Sequence, residues 1–142
     1  MRKVADILRR KGDNVTTVPP STSVIDALHM MADQNIGSVV VAENGKFLGI
    51  MTERNYSRKV ILKGRSSTDT TVGEIMSAEF PFVHQKDSVE YCMELMSKQN
   101  LRYLPVMDGD RLAGILSIND VVKETILTQQ ETISHLQTYI HS

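Results

Sequence analysis

The chain of 142 residues is poor in the residue types that carry most recognisable chemistry. It has one cysteine, so neither a disulfide framework nor a cysteine-rich zinc site can be built. Sixteen basic and seventeen acidic residues cancel to a net charge of −1, so no long-range field recruits DNA or an anionic membrane. No apolar run approaches the roughly 18 residues of a membrane span, and Asp6 interrupts the segment where a signal peptide needs continuous apolarity. The expectation is a cytoplasmic protein that binds neither nucleic acid nor membrane. His29, His84, His135 and His141 fall at no ligand spacing, and Cys92 sits on an apolar helical stripe, so no metal site is expected and the thiol reads as a small core hydrophobe.

What the chain does have is itself, twice. Residues 17–56 moved forward by 65 positions lie without a gap on 82–121, and nine of forty pairs are identical. Chance gives roughly two or three. The identities include Val18/Val83, Ser23/Ser88, Met31/Met96, Gln34/Gln99, Asn35/Asn100, Gly49/Gly114 and Ile50/Ile115. Each copy is too short to bury a large core alone, which predicts two related units packed together, with equivalent clefts where a ligand could sit.

Within a copy the pattern reads strand, helix, strand, strand, helix. Ser23 and Ser88 stand as N-caps before apolar stripes at helical spacing (Val24, Ala27, Leu28, Met31; Val89, Cys92, Met93, Met96). The β-branched run from Ile36 to Val41, the turn Glu43-Asn44-Gly45-Lys46 and Phe47 to Met51 predict a hairpin, answered by Leu104 to Met107, Asp108-Gly109-Asp110-Arg111 and Leu112 to Leu116. Gly64 to Thr71 reads as a linker. A lead-in at residues 1–12, with Ala5-Asp6-Ile7-Leu8, is echoed by Gly73-Glu74-Ile75-Met76. From Asp120 to about Tyr139 no Gly or Pro interrupts a helix on which Ile126, Ile133 and Ile140 recur every seven residues, with Val122, Gln129 and Leu136 at the complementary heptad position. The stripe suits either a partner subunit or docking on its own domain.

Gly49-Ile50-Met51-Thr52-Glu53-Arg54-Asn55 recurs as Gly114-Ile115-Leu116-Ser117-Ile118-Asn119-Asp120. Both deliver a hydroxyl to a helix start with Asn or Asp three residues on. That is a helix cap. It is also a phosphate site, because a helix start exposes N–H groups and the positive end of its dipole, and a carboxylate one turn in can grip a ribose diol.

These endings, the two units in register and the Leu104-Pro105-Val106 strand closely resemble a tandem pair of cystathionine β-synthase (CBS) domains, the Bateman module, over about residues 4–127. The resemblance implies an α/β (α+β) fold: two β-α-β-β-α units packed as a pseudo-twofold pair, spanning 1–65 (with the lead-in) and 66–127, plus a C-terminal helical extension at 128–142. It implies a regulatory sensor without catalytic activity and without a required cofactor, whose ligand is AMP, ADP or ATP, with NAD or S-adenosylmethionine in some members. It also implies a homodimer and an unidentified protein partner that reads the occupancy. Two clefts follow. The main one would use Ser117, Asn119 and Asp120 with Thr16, Ile36, Gly37 and Ser38. The second, weaker one would use Thr52, Arg54, Asn55 and Arg58 with Phe80, Pro81, Leu101, Arg102 and Tyr103. There Asn55 replaces the family's Asp, and a neutral amide has one acceptor oxygen where a carboxylate has two. The competing readings are a ligand-independent dimerisation module, in which the motifs only cap helices, and an enzyme, for which the sequence offers no P-loop and no nucleophile beside a base.

Overall fold

A computed structural model describes residues 2–12 and 14–141; Met1, Asp13, Ser142 and the side chain of His141 lie outside the described residues, and with them the expectation for His141 and the last position of the C-terminal extension. The elements, in order, are α1 (Val4–Lys11), β1 (Thr17–Val18), α2 (Val24–Gln34), β2 (Ser38–Glu43), β3 (Lys46–Thr52), α3 (Glu53–Tyr56), α4 (Val72–Ile75), α5 (Val89–Gln99), β4 (Tyr103–Asp108), β5 (Arg111–Ser117) and α6 (Ile118–His141). A π-helical turn, Ser57–Ile61, continues α3.

Both copies fold as their sequences indicate, and for local reasons. Ser23 Oγ accepts the N–H of Asp26, and Ser88 Oγ accepts that of Tyr91, so each long helix is capped by the hydroxyl of its duplicated serine. The duplicated Asn35 and Asn100 end the same helices in the left-handed conformation at φ 53°, a position that asparagine tolerates better than most residues. The antiparallel hairpins β2–β3 and β4–β5 share a register, including an irregularity at Val41/Ala42 and at Val106/Met107. β1 adds to β2 in parallel, and Val83 makes the matching parallel bridge to Val106.

The chain nevertheless divides into units that differ from the sequence repeats. A middle unit runs from Val15 to Phe80, and a composite unit joins Met1–Asn14 to Pro81–Ser142. The lead-in α1 therefore belongs with the second copy: Val4, Ile7 and Leu8 are buried among Val83, Cys92, Leu104, Val106 and Leu116. Its echo α4, which precedes the second copy, is built into the first: Val72 and Ile75 join Val24, Ala27, Val39, Val41 and Met51. Each copy thus closes its core with the lead-in of the other. Backbone bonds fix both arrangements. Val4 N–H donates to Asp87 O and Val89 N–H to Arg2 O; Val72 N–H donates to Thr22 O and Val24 N–H to Thr70 O.

The two glycines that precede the hydroxyl motifs are explained by the same exchange. A Cβ on Gly49 would stand 2.6 Å from the carbonyl oxygen of Ser77, whose segment bonds along β3 at Ile50. A Cβ on Gly114 would meet Leu8 Cδ2 of α1 at 2.8 Å.

Candidate functional site

In the composite unit, β5 delivers Ser117 to the start of α6. Ser117 N–H donates to Asp120 Oδ2 at 2.8 Å, and Asp120 N–H donates to Ser117 Oγ at 3.2 Å, a reciprocal cap. Lys11, the last residue of α1, donates from Nζ to Asp120 Oδ2 at 2.7 Å and to the carbonyl of Ile115 at 2.9 Å. Both of these bonds use Oδ2, and the Ser117 hydroxyl also bonds the carboxyl group. Burial acts to raise the pKa of this carboxyl, but the Lys11 ammonium and the Ser117 N–H outweigh it and hold Asp120 below its ordinary range, hence ionised. Asn119, between them, is exposed.

The middle unit repeats the device with an amide. Thr52 N–H donates to Asn55 Oδ1 at 2.9 Å, and Asn55 N–H donates to Thr52 Oγ1 at 3.0 Å. Asn55 Nδ2 donates onward to Ser77 Oγ at 3.0 Å, a bond that no carboxylate could donate. The departure at this position therefore has a structural use: it ties the start of α3 to the segment after α4.

The other expected residues fall beside these caps. In the middle unit Thr16 Oγ1 donates to Gln34 Oε1, Ile36 N–H donates to Met31 O, Gly37 O accepts the N–H of Glu53, and Ser38 pairs with Thr52 across the hairpin. In the composite unit Tyr103 pairs with Ser117, Leu101 N–H donates to Met96 O, and Arg102 O accepts the N–H of Ile118. Each hydroxyl motif is thus brought against the residues that open β2 or β4 of its own unit. Arg102 and Arg58 are exposed, Arg54 and the neighbours Phe80 and Pro81 are half-buried, and Phe80 closes the middle unit where Pro81 resumes the composite one.

A cavity of about 510 Å³ opens in the middle unit between α2 and α3, walled by Leu28, Met31, Ile36, Gly37, Glu53 and Tyr56. Its size is that of a small-molecule site. Ile36 and Gly37 were expected at a ligand; Tyr56 and Glu53 were not, although Tyr56 lies one helical turn past Thr52, on the motif's own helix. Lys11 and the buried Glu124 were also missed. The side chain of Glu124 is 0% exposed, with Arg2 at 3.0 Å and Arg10 also paired to it, while Arg2 also reaches Glu131. Neither oxygen of Glu124 accepts an aligned hydrogen bond, so the contact is ionic. Among the described residues there is no group of His, Cys, Asp and Glu able to hold a metal, and no helix is long and apolar enough to cross a membrane.

Two hairpin-and-helix units, each ending in a strand-to-helix hydroxyl motif, make up a tandem module. The sequence pattern of the CBS domain matches residues 4–61 and again 72–126, and the chain belongs to the CBS-domain family. It is 34% identical over 96% of its length, and 71% of the other chain, to the CBS domain-containing protein CBSX3, mitochondrial, of Arabidopsis thaliana. A solved structure from Burkholderia ambifaria MC40-6, described as that of a candidate signal-transduction protein with CBS domains, has 42% identity and a TM-score of 0.85, covering 89% of this chain and 96% of that one. The hexameric CBS-CP12 protein from bloom-forming cyanobacteria has 29% identity and a TM-score of 0.74 over 86% of this chain and 70% of that one.

Proposed function

We propose that the chain is a non-catalytic sensor of adenosine nucleotides, AMP, ADP or ATP with NAD as a further candidate, which passes their occupancy to a partner protein. The observation that supports this most is the state of Asp120. It is ionised, stands one turn into a helix, and is held there by its cap and by Lys11 at Oδ2. A ribose diol can donate to the carboxylate, and phosphate can take the Ser117 hydroxyl and the Lys11 ammonium. Lys11 is then shared between the carboxylate and the ligand. Because it ends α1, whose other contacts close the core of the same unit, occupancy is felt along α1 and α6. The amide at Asn55 makes the second motif the weaker site. The coupling can be no larger than the difference in ligand affinity between the arrangements it biases.

A second reading is favoured by one observation: both hydroxyls, Thr52 and Ser117, are already used as caps. On that reading the chain is a ligand-independent dimerisation module, in keeping with the hexamer formed by the cyanobacterial relative. Mass spectrometry of the small molecules released when the purified protein is denatured separates the two. Stoichiometric adenosine nucleotide, absent from Asp120→Ala protein of unchanged circular dichroism, is the expected result. Equal, trace amounts from both proteins, with no stabilisation by added nucleotide, would leave the dimerisation module.

A further inference from the structure

α6 has two faces with opposite characters. Asp120 and Glu124 pair with Lys11 and Arg10 of α1, and Glu131 extends that line to Arg2. On the other side, centred about 160° round the helix from Glu124 at 3.6 residues per turn, stand Val122, Ile126, Ile133, Leu136 and Ile140. These are 39%, 46%, 55%, 57% and 74% exposed, respectively. Nothing in the sequence requires five large apolar side chains on one side of a helix that water alone covers.

Their spacing names the occupant. Ile126, Ile133 and Ile140 take one heptad position and Val122, Gln129 and Leu136 the other, a seam about 28 Å long at 1.5 Å per residue. β-Branched residues at the first position with leucine at the second favour two parallel strands, a pattern this seam meets at Ile133, Leu136 and Ile140. The flanks permit self-pairing: Lys123, Gln130 and Gln137 run along one side and Thr125 and Thr132 along the other, so Lys123 is the sole charge among them. Two identical helices brought together in register meet no ladder of like charges, and Gln129 faces the Gln129 of the second copy, where the two amides can bond to each other and penalise a slipped register. A charged foreign helix would find only Lys123 to complement it on these flanks.

We propose that α6 is the pairing element of this protein: its outer face zips in parallel, in register, against α6 of a second copy. Two to three heptads are short for an independent coiled coil. The ion pairs of Arg2 and Arg10 on the opposite face hold the first half of the helix, so the seam is presented as a formed surface. The inference does not depend on nucleotide binding.

Single cysteines introduced into the full chain test it, because the native Cys92 is buried and silent. Under mild oxidation Leu136→Cys is expected to give a disulfide-linked dimer, forming about tenfold faster or more than with Thr138→Cys, since thiols held face to face react at a raised effective concentration. Thr138 lies on the far side of the seam. Both substitutions fall at exposed positions, and circular dichroism verifies that both variants fold. Equal rates at the two positions, or no dimer from either, would overturn the pairing. Cross-linking between Ile126→Cys and Leu136→Cys protein in a mixture, in place of 136 with 136, would overturn its parallel sense.

Discussion

Asn55 carries the chemical difference between the copies. Its amide accepts from the Thr52 backbone as a carboxylate would, but its Nδ2 is committed to Ser77. Asn55→Asp keeps the cap, adds negative charge at a helix start, and lets the Ser77 hydroxyl turn to donate, so stability is expected to change by less than about 0.5 kcal/mol. On the sensor reading, the new carboxylate strengthens adenosine-nucleotide binding at this copy by about tenfold, the value of one charge-assisted bond, and two-site calorimetry reads it directly. An unchanged isotherm would remove Asn55 from the site. At Asp120 the folded pKa lies below the unfolded one. The carboxylate's contribution is therefore fully present above the ordinary carboxylate range and is lost as pH falls through the depressed folded value. Lys11→Met should flatten the fall in stability seen by urea unfolding between pH 6 and pH 3. The effect is limited to about 0.5 kcal/mol because the pair is partly exposed. Burial, aided by the charge of Asp87, pushes the Cys92 thiol up to about 12. It should stay unmodified by a thiol reagent at pH 8 until the protein is unfolded, and rapid labelling of native protein would contradict this.

At the scale of elements, the two duplicated glycines make unequal demands. Gly49→Ala sets a methyl group against a backbone carbonyl that is itself bonded in the sheet. Gly114→Ala sets it against the movable end of Leu8. The first is expected to cost about 3 kcal/mol and the second about 1 kcal/mol by chemical denaturation, and equal costs would refute the packing described. Glu124→Ala removes the anion that Arg2 and Arg10 share, leaving Arg2 with Glu131 alone, and should cost about 3 kcal/mol, with lost hydrogen-exchange protection concentrated in α1. Helices, hairpins and caps were legible because serine caps, Asn-Gly and Asp-Gly turns and the 3.6 period act within a few residues of chain. Glu124 was not, since in one sequence a buried acid looks the same as a solvated one; only Arg10 on α1 and Arg2 just before it, more than a hundred residues away, account for it. The π-helical turn after Tyr56 likewise left no mark that periodicity could read.

At the scale of the whole molecule, the duplication was visible but the exchange of lead-ins was not. α1 and α4 carry similar short amphipathic patterns, and either could close either core. The sequence places α1 before the first copy, whereas its buried face lies in the second. Deletion of residues 2–11 should therefore spare hydrogen-exchange protection in β2 and β3, which follow it closely in sequence, and abolish it in β4 and β5, more than ninety residues on. The opposite pattern would contradict the composite unit. The candidate site was legible as two motifs and a list of neighbours. The sharing of Asp120 between a cap and Lys11 was not, because Lys11 arrives from the exchanged helix.

The central claim is that the carboxylate of Asp120 serves a nucleotide as well as its helix. Calorimetric titration of the intact chain with AMP, ADP, ATP and NAD, repeated on Asp120→Asn, tests it most directly. The substitution keeps an acceptor for the Ser117 N–H and so preserves the cap, as Asn55 does for Thr52 in the other copy. The account predicts saturable binding of at least one of the four by the native chain, weakened about tenfold or more in the folded variant. Absence of heat with all four at millimolar concentration, or identical isotherms for the two proteins, would contradict it.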